Sequence, residues 1–242
     1  MVNTTPRDDR PIALIVGASR GLGAAIAAEY LRLHFDVIGT AREGSPAELE
    51  KLAADSDGRL EIEHVDITDL AQVQALRARL QERLGDRRLA LLFVVAGISF
   101  AEQSAPSTDM SEEQFAAMML TNAFAPVRTI DALEPIVEQD GSIAIMTSGQ
   151  GSIANNTSGG FEVYRASKAA LNQLMRSYAA RHPDEQRALL LMAPGWVQTA
   201  MGGARAPLTI AESIPELVST VEAQRGIPGL RYLDRHGTPI AW

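Results

Sequence analysis

The sequence predicts a doubly wound α/β fold: one parallel sheet of about seven strands with helices on both faces. Three observations carry that prediction. Short apolar runs alternate with amphipathic segments along nearly the whole chain, the order that builds right-handed βαβ units. The runs are almost continuously apolar, as strands covered on both faces must be. A glycine-rich turn, Gly17-Ala18-Ser19-Arg20-Gly21-Leu22-Gly23, joins the first run to the first amphipathic segment.

Residues 11–16 (PIALIV) read as a buried strand, and residues 21–33 as a helix with Leu22, Ile26, Tyr30 and Leu33 at helical spacing. Residues 36–40 give a second strand, and 46–54 a short helix with Ser45 as its N-cap. Residues 60–65 alternate as a third strand; 70–84 form a helix with Val73, Leu76, Leu80 and Leu84 on one face; 89–95 are a strongly apolar fourth strand. Residues 111–122 open with a capping-box spacing from Ser111 to Gln114, and 127–138 continue the helical region beyond Pro126. Residues 141–146 are a fifth strand, 163–181 a long helix, and 188–192 a sixth strand ended by Pro194-Gly195. Residues 209–224 are expected to form a helix interrupted near Pro215, and 230–233 a last edge strand. No repeat or low-complexity linker divides residues 1–242, so one domain is expected.

Composition narrows the function classes. Twenty-two Lys and Arg against thirty Asp and Glu leave a net charge of −8, which argues against a nucleic-acid partner. The absence of cysteine excludes disulfides and thiolate chemistry, and the four histidines show no ligand spacing, so no metal site is expected. No apolar run reaches membrane-helix length, and residues 1–10 lack the apolar core of a secretory signal. A cytoplasmic protein without a membrane partner is the expectation.

The motifs that carry chemistry begin at the glycine turn. Gly17, Gly21 and Gly23 let backbone approach a pyrophosphate, and the following helix N-terminus offers N–H donors and a favourable dipole. The spacing is G-x-x-x-G-x-G, and an ordinary tight turn is the alternative. Tyr164 and Lys168 stand four apart and share a helix face. An ammonium near a phenol favours the phenolate and should lower its pKa, readying Tyr164 to exchange a proton with a carbonyl or alcohol oxygen. A solvated surface pair is the alternative. Ser148 directly follows the fifth strand and can hydrogen-bond a developing oxyanion, with Ser152 as its rival.

Five signatures in order resemble the short-chain dehydrogenase/reductase family. They are GASRGLG at 17–23, Thr121-Asn122-Ala123, Met146-Thr147-Ser148, Tyr164-Arg165-Ala166-Ser167-Lys168, and Pro194-Gly195-Trp196-Val197-Gln198-Thr199. Residues 152–160 and the tail 233–242 are similar to the C-factor and sniffer branch, which holds carbonyl reductases and proteins known for signalling. The resemblance implies a Rossmann domain and metal-free hydride transfer between a nicotinamide cofactor and a carbonyl or alcohol. In it Tyr164 is acid or base, Ser148 the carbonyl partner, Lys168 the pKa modulator and ribose anchor, and Asn122 the holder of a relay water. It implies cofactor contacts from Gly17, Ser19, Arg20, Gly21, Leu22 and Gly23, from Asp66 and Ile67 near the adenine, and from Ala96 and Gly97. At the nicotinamide end it implies Pro194, Gly195, Val197 and Thr199, beside Tyr164 and Lys168. For Asp66 an N-cap or an Asx turn is nearly as good a reading. Val94-Val95 stand where the family has two asparagines.

An NAD-selecting site places an acid at the end of the second strand. Here Thr40-Ala41-Arg42 has none. Arg20 and Arg42 suit a 2′-phosphate, so NADP(H) is the expected cofactor and NAD(H) the alternative. Substrate loops are expected within 99–110, 149–163 and 201–225, where Phe100, Phe161, Trp196 and Met201 point to an apolar or aromatic carbonyl compound. The family also implies a homodimer or homotetramer. A dinucleotide-binding signalling or redox-sensing protein with little turnover is the other reading.

Overall fold

Seven segments pair in parallel, the inner ones buried on both faces along their apolar runs and the two edge ones partly exposed. They are β1 (Ile12–Val16), β2 (Asp36–Ala41), β3 (Leu60–His64), β4 (Leu89–Val94), β5 (Val137–Met146), β6 (Ala188–Ala193) and β7 (Gly229–Asp234). The order across the sheet is β3-β2-β1-β4-β5-β6-β7. The computed structural model describes residues 10–44, 47–100 and 106–242, and these seven strands form one sheet. In register, Ile15 lies between Gly39 of β2 and Phe93 of β4. Every residue of β1, β4 and β6 is buried.

The helices are α1 (Gly21–Arg32), α2 (Ala47–Ala54), α3 (Leu70–Leu84), α4 (Glu112–Met119), α5 (Ala125–Leu133), α6 (Glu162–Arg181) and α7 (Ile210–Ala223). One face of the sheet packs on α3, α5 and α6 through Val73, Leu76, Leu80, Ile130, Leu171 and Met175. The other packs on α1, α2 and α7 through Ile26, Tyr30, Leu49, Leu217 and Val221. The chain winds outward in both directions from the β1–β4 pair, which opens a crevice at the carboxyl ends of those strands.

The predicted elements are present, with informative differences. The third strand ends at His64 rather than 65, and Ser45 and Pro46 lie outside the described residues. The predicted helix 127–138 ends at Leu133, because Pro135 lacks the N–H needed to continue it. β5 then begins four residues early, at Val137 opposite Leu89. The polar residues Glu138, Gln139 and Asp140 bulge before pairing resumes at Ser142 opposite Leu91. α4 and α5 are not separate helices but are joined by a π-helical turn, Leu120–Phe124. Pro215 does not interrupt α7. It lies on the exposed side, while Ile214, Leu217, Val218 and Val221 hold the helix against the sheet. Tertiary burial thus outweighs a local propensity penalty. Pro215→Ala is expected to restore one helical hydrogen bond and stabilise the fold by about 1 kcal/mol or more. In a thermal melt that corresponds to a rise in Tm of roughly 2–4 °C.

Candidate active site

The end of β1 is built backbone against backbone. The Val16 carbonyl accepts from the N–H groups of Val95 (2.8 Å) and Ala96 (3.0 Å), drawing the end of β4 beneath the glycine turn. Gly17 has φ +92°, and a Cβ there would lie 2.7 Å from the Ala96 nitrogen. A Cβ on Gly23 would run into the Gly17 carbonyl. The turn is tied to β2 by Ala18 N–H to the Thr40 carbonyl (2.7 Å) and Gly17 N–H to Thr40 Oγ1 (3.1 Å). α1 starts with no side-chain cap from Arg20 and no acid in its first turn. Glu48 of α2 accepts from the Gly21 N–H at 3.3 Å. Ser19 and Leu22 are half-buried and Arg20 is exposed. This cradle fits a pyrophosphate: side chains are absent where backbone must approach, and at the helix N-terminus the Gly21 N–H already meets a carboxylate, an anion whose place a phosphate can take.

Beyond β2 the surface opens into a cleft of about 290 Å³ lined by Arg42, Glu43, His64, Val65, Asp66 and Gln72. Asp66 forms the Asx turn: its Oδ1 accepts from the Thr68 N–H (2.9 Å) and hydroxyl (2.7 Å), while Asp69 caps α3. Burial pushes its carboxyl up, but the bonds from Thr68 and the charge of Arg42 outweigh this and hold it below the usual carboxylate range. The Ile67 side chain is in the core and leaves only backbone for the cleft. A larger cleft of about 590 Å³ lies at the opposite ends of the strands; there Arg10 pairs with Asp36 and Arg225 with Glu138.

Across the crevice, the π turn places Asn122. Its Oδ1 accepts from the Ile98 N–H (2.8 Å), and its Nδ2 donates to the Ile98 carbonyl (2.9 Å) and to Ser167 Oγ (3.1 Å). Asn122 thereby clamps the segment after β4, where Val94-Val95 supply no side-chain hydrogen bonds. A Cβ on Gly97 would meet Asn122 Oδ1 at 3.3 Å and Lys168 Nζ at 3.7 Å, so these two groups converge on an open backbone position. Lys168 is buried and donates to the Met146 carbonyl at 3.0 Å. Burial pulls its pKa down to about 8.

Tyr164 lies one turn before Lys168, with the ammonium 5.9 Å from the ring centroid. The expected lowering of the phenol by this lysine is not what the geometry gives. Burial raises the Tyr164 pKa, and the hydrogen bond from Ser148 is what opposes the rise. The hydrogen bond that Lys168 makes is to the β5 carbonyl of Met146, and its ammonium stands 5.9 Å from the centroid of the phenol ring. Ser148 is half-buried at the end of β5, and its Oγ accepts from the Gln150 N–H at 3.1 Å. Ser152, its rival, is buried and caps a local turn at the Asn155 N–H (3.1 Å). Ser148 is thus the serine that moderates the tyrosine, while the Ser152 hydroxyl is engaged in its own turn.

The segment after β6 faces the same crevice. Pro194 accepts through its carbonyl from Ser213 Oγ (2.7 Å), and Gly195 has φ +86°. Val197 is buried and bridges to Leu208, while Thr199 Oγ1 accepts from the Gly202 N–H (2.9 Å). Trp196 is exposed, with its indole N–H on the Gly202 carbonyl (2.7 Å). Phe161, opposite in sequence terms, adopts φ +51° at the start of α6, a strained conformation of the kind that gathers at functional sites.

A family model described as short chain dehydrogenase matches residues 11–207. The chain belongs to the short-chain dehydrogenases. Its fold is similar to that of a short-chain dehydrogenase/reductase from Burkholderia multivorans with bound NADP, at 48% identity and a TM-score of 0.92, covering 96% of this chain and 100% of that one. It is similar to a carbonyl reductase from Pseudomonas aeruginosa PAO1 in complex with NADP, at 39% identity and a TM-score of 0.85, covering 97% and 100%. The carbonyl reductase Sniffer of D. melanogaster is 30% identical with a TM-score of 0.86, covering 96% and 99%.

This short-chain dehydrogenase also carries polar groups that sequence reasoning missed. Ser167 links Asn122 to the Tyr164 carbonyl (2.8 Å), and Asn172 accepts from Thr147 Oγ1 (2.8 Å). Asn172 was findable, since it stands four residues after Lys168 on the same helix face; Tyr232, described below, had no local signal. Gly17→Ala is expected to destabilise the chain by about 1–3 kcal/mol through its positive φ, apart from the clash with Ala96. Urea melts of the two proteins measure the difference.

Proposed function

We propose that this short-chain dehydrogenase transfers a hydride between NADP(H) and a carbonyl or alcohol substrate, acting as a carbonyl reductase. The observation that carries the reading is the meeting of Tyr164, Ser148, Lys168 and Asn122 at the carboxyl ends of β4 and β5, across one crevice from the glycine turn. The bound cofactor supplies or accepts the hydride. Gly17, Gly21 and Gly23 with the first N–H groups of α1 hold its pyrophosphate, flanked by Ser19 and Leu22. Arg20 and Arg42 hold a 2′-phosphate, which favours NADP(H) over NAD(H); NADP bound in two similar structures supports this. Asp66 and the Ile67 backbone face the adenine; Ala96, Gly97, Pro194, Gly195, Val197 and Thr199 flank the nicotinamide half.

In the reductive direction the Tyr164 hydroxyl delivers its proton to the carbonyl oxygen. Ser148 Oγ donates to the same oxygen and stabilises charge developing there. Lys168 holds positive charge beside the phenol and anchors the ribose, and Asn122 holds the relay water between Lys168 and bulk solvent. Loops within 99–110, 149–163 and 201–225 form the substrate site, of which residues 101–105 are not described. Phe161, Trp196 and Met201 give it an apolar lining suited to a hydrophobic or aromatic carbonyl compound.

NADPH oxidation should be followed with aldehydes, ketones, diketones and quinones, with NADH in parallel. Turnover preferring NADPH is expected, falling about 10²–10⁴-fold in Tyr164→Phe. Tight NADPH binding with no turnover on any compound would instead establish the sensor reading. The pH profile gives a second test. The Lys168 ammonium is present below about pH 8 and lost above it, so reductive kcat should fall with unit slope on the alkaline side. In Lys168→Met that limb should vanish and the plateau drop.

A further inference from the structure

We infer that Tyr232, on the edge strand and outside the catalytic set, is a positioning residue that fixes Ser148 against Tyr164. The inference rests on the proposed role of Ser148. Tyr232 is 2% exposed and lies on β7 opposite Leu191 of β6. Its hydroxyl crosses to the end of β5 and donates to the Ser148 carbonyl at 2.5 Å. That turn is held at two further points. Thr147 Oγ1 donates to Asn172 Oδ1 (2.8 Å), and Asn172 Nδ2 donates to the Gly151 carbonyl (3.4 Å). Asn172 opposes the rise that burial imposes on the Tyr232 phenol, and Tyr164 adds to it.

The arrangement divides the work of Ser148 between its two oxygens. The carbonyl is held by Tyr232, and the side-chain hydroxyl is the group that lowers the Tyr164 phenol. Loss of the Tyr232 bond would release the backbone at Ser148, and a shift of its Cα would carry Oγ with it. Burial pushes the Tyr232 phenol up to about 12, so it remains a donor throughout the working range of the enzyme. The ring is wedged in place: its centroid lies 5.6 Å from that of Trp242, whose own ring is covered by the Arg176 guanidinium at 4.5 Å. The Trp242 carbonyl accepts from the Ala154 N–H at 3.0 Å, so the same tail also pins the loop that follows Ser152. A phenylalanine would fill this space equally well. The hydroxyl is the part that reaches the serine.

Tyr232→Phe, Ser148→Ala and the double variant separate positioning from plain stability. Kinetics use NADPH and the carbonyl compound turned over best; melting temperature and NADPH affinity are measured alongside. Tyr232→Phe should lower kcat by about 10-fold to 10²-fold, the range expected for displacement of a reacting group by up to an ångström. Carbonyl KM, NADPH affinity and Tm should change little. The loss should disappear in the Ser148→Ala background, because the hydroxyl then has no Oγ to place. An activity-independent readout comes from ultraviolet titration of the four tyrosines, with Tyr164→Phe identifying the Tyr164 signal. Tyr232→Phe should raise the Tyr164 pKa as the Ser148 bond loosens. Unchanged kcat and Tyr164 titration in Tyr232→Phe, or a loss that persists undiminished without Ser148 Oγ, would overturn the inference. Full turnover in Ser148→Ala is a different failure, since it would overturn the role of the serine itself.

Discussion

Everything at the crevice depends on the contact between the ends of β1 and β4. One carbonyl, that of Val16, accepts from two successive N–H groups of the neighbouring strand. This bifurcated acceptance draws Ala96 so close that position 17 has room only for hydrogen. The glycine turn is therefore a packing requirement before it is a binding motif. The same contact sets Gly97 opposite Lys168 and Asn122, so the cradle proposed for phosphate and the groups proposed for catalysis share one backbone origin. The long apolar strands make this possible: a sheet covered on both faces holds its strand ends rigidly, and precise sites belong on rigid elements.

Lys168 shows what the site demands of the fold. A buried ammonium is expensive unless polar groups meet it. Its fixed partner is the Met146 carbonyl, at the end of the strand that leads into Ser148. Desolvation depresses its pKa, yet enough charge persists near neutrality to act on a phenol that burial has pushed the other way. The two shifts run in opposite directions, the ammonium down and the phenol up. Hydrogen bonding by Ser148, more than proximity to lysine, moderates the phenol in the chain alone. In the proposed mechanism the serine thus serves both tyrosine and substrate.

Periodicity and glycine placement made the sheet, its strands and most helices legible, because burial on two faces leaves a plain apolar signature in β1, β4 and β6. The glycine turn and the Tyr–Lys pair were legible for the same reason: their spacing is local. The failures share a cause. The π turn, the β5 bulge and the unbroken α7 are settled by neighbours distant in sequence. Asn122 fits its π turn because it must meet Ile98, 24 residues away; Val137 pairs early because Leu89 is there to receive it. At Asp66 two local readings competed, and Thr68 decided for the turn.

Tyr232 marks the limit of local reading. On an edge strand, an inward aromatic looks like core, and its ring is core. What distinguishes it is an oxygen 84 residues from its acceptor, brought there only by completion of the sheet through β6 and β7. The tail that closes over it, through Trp242 and Arg176 to Ala154, ties the last strand to the loop beside the Ser148 turn. The outermost part of the fold thereby bears on its central chemistry. A strand whose pairing lies two positions from the crevice controls the orientation of a group inside it. The carboxyl end of this sheet therefore acts as one mechanical unit, from the cofactor turn at β1 to the edge at β7.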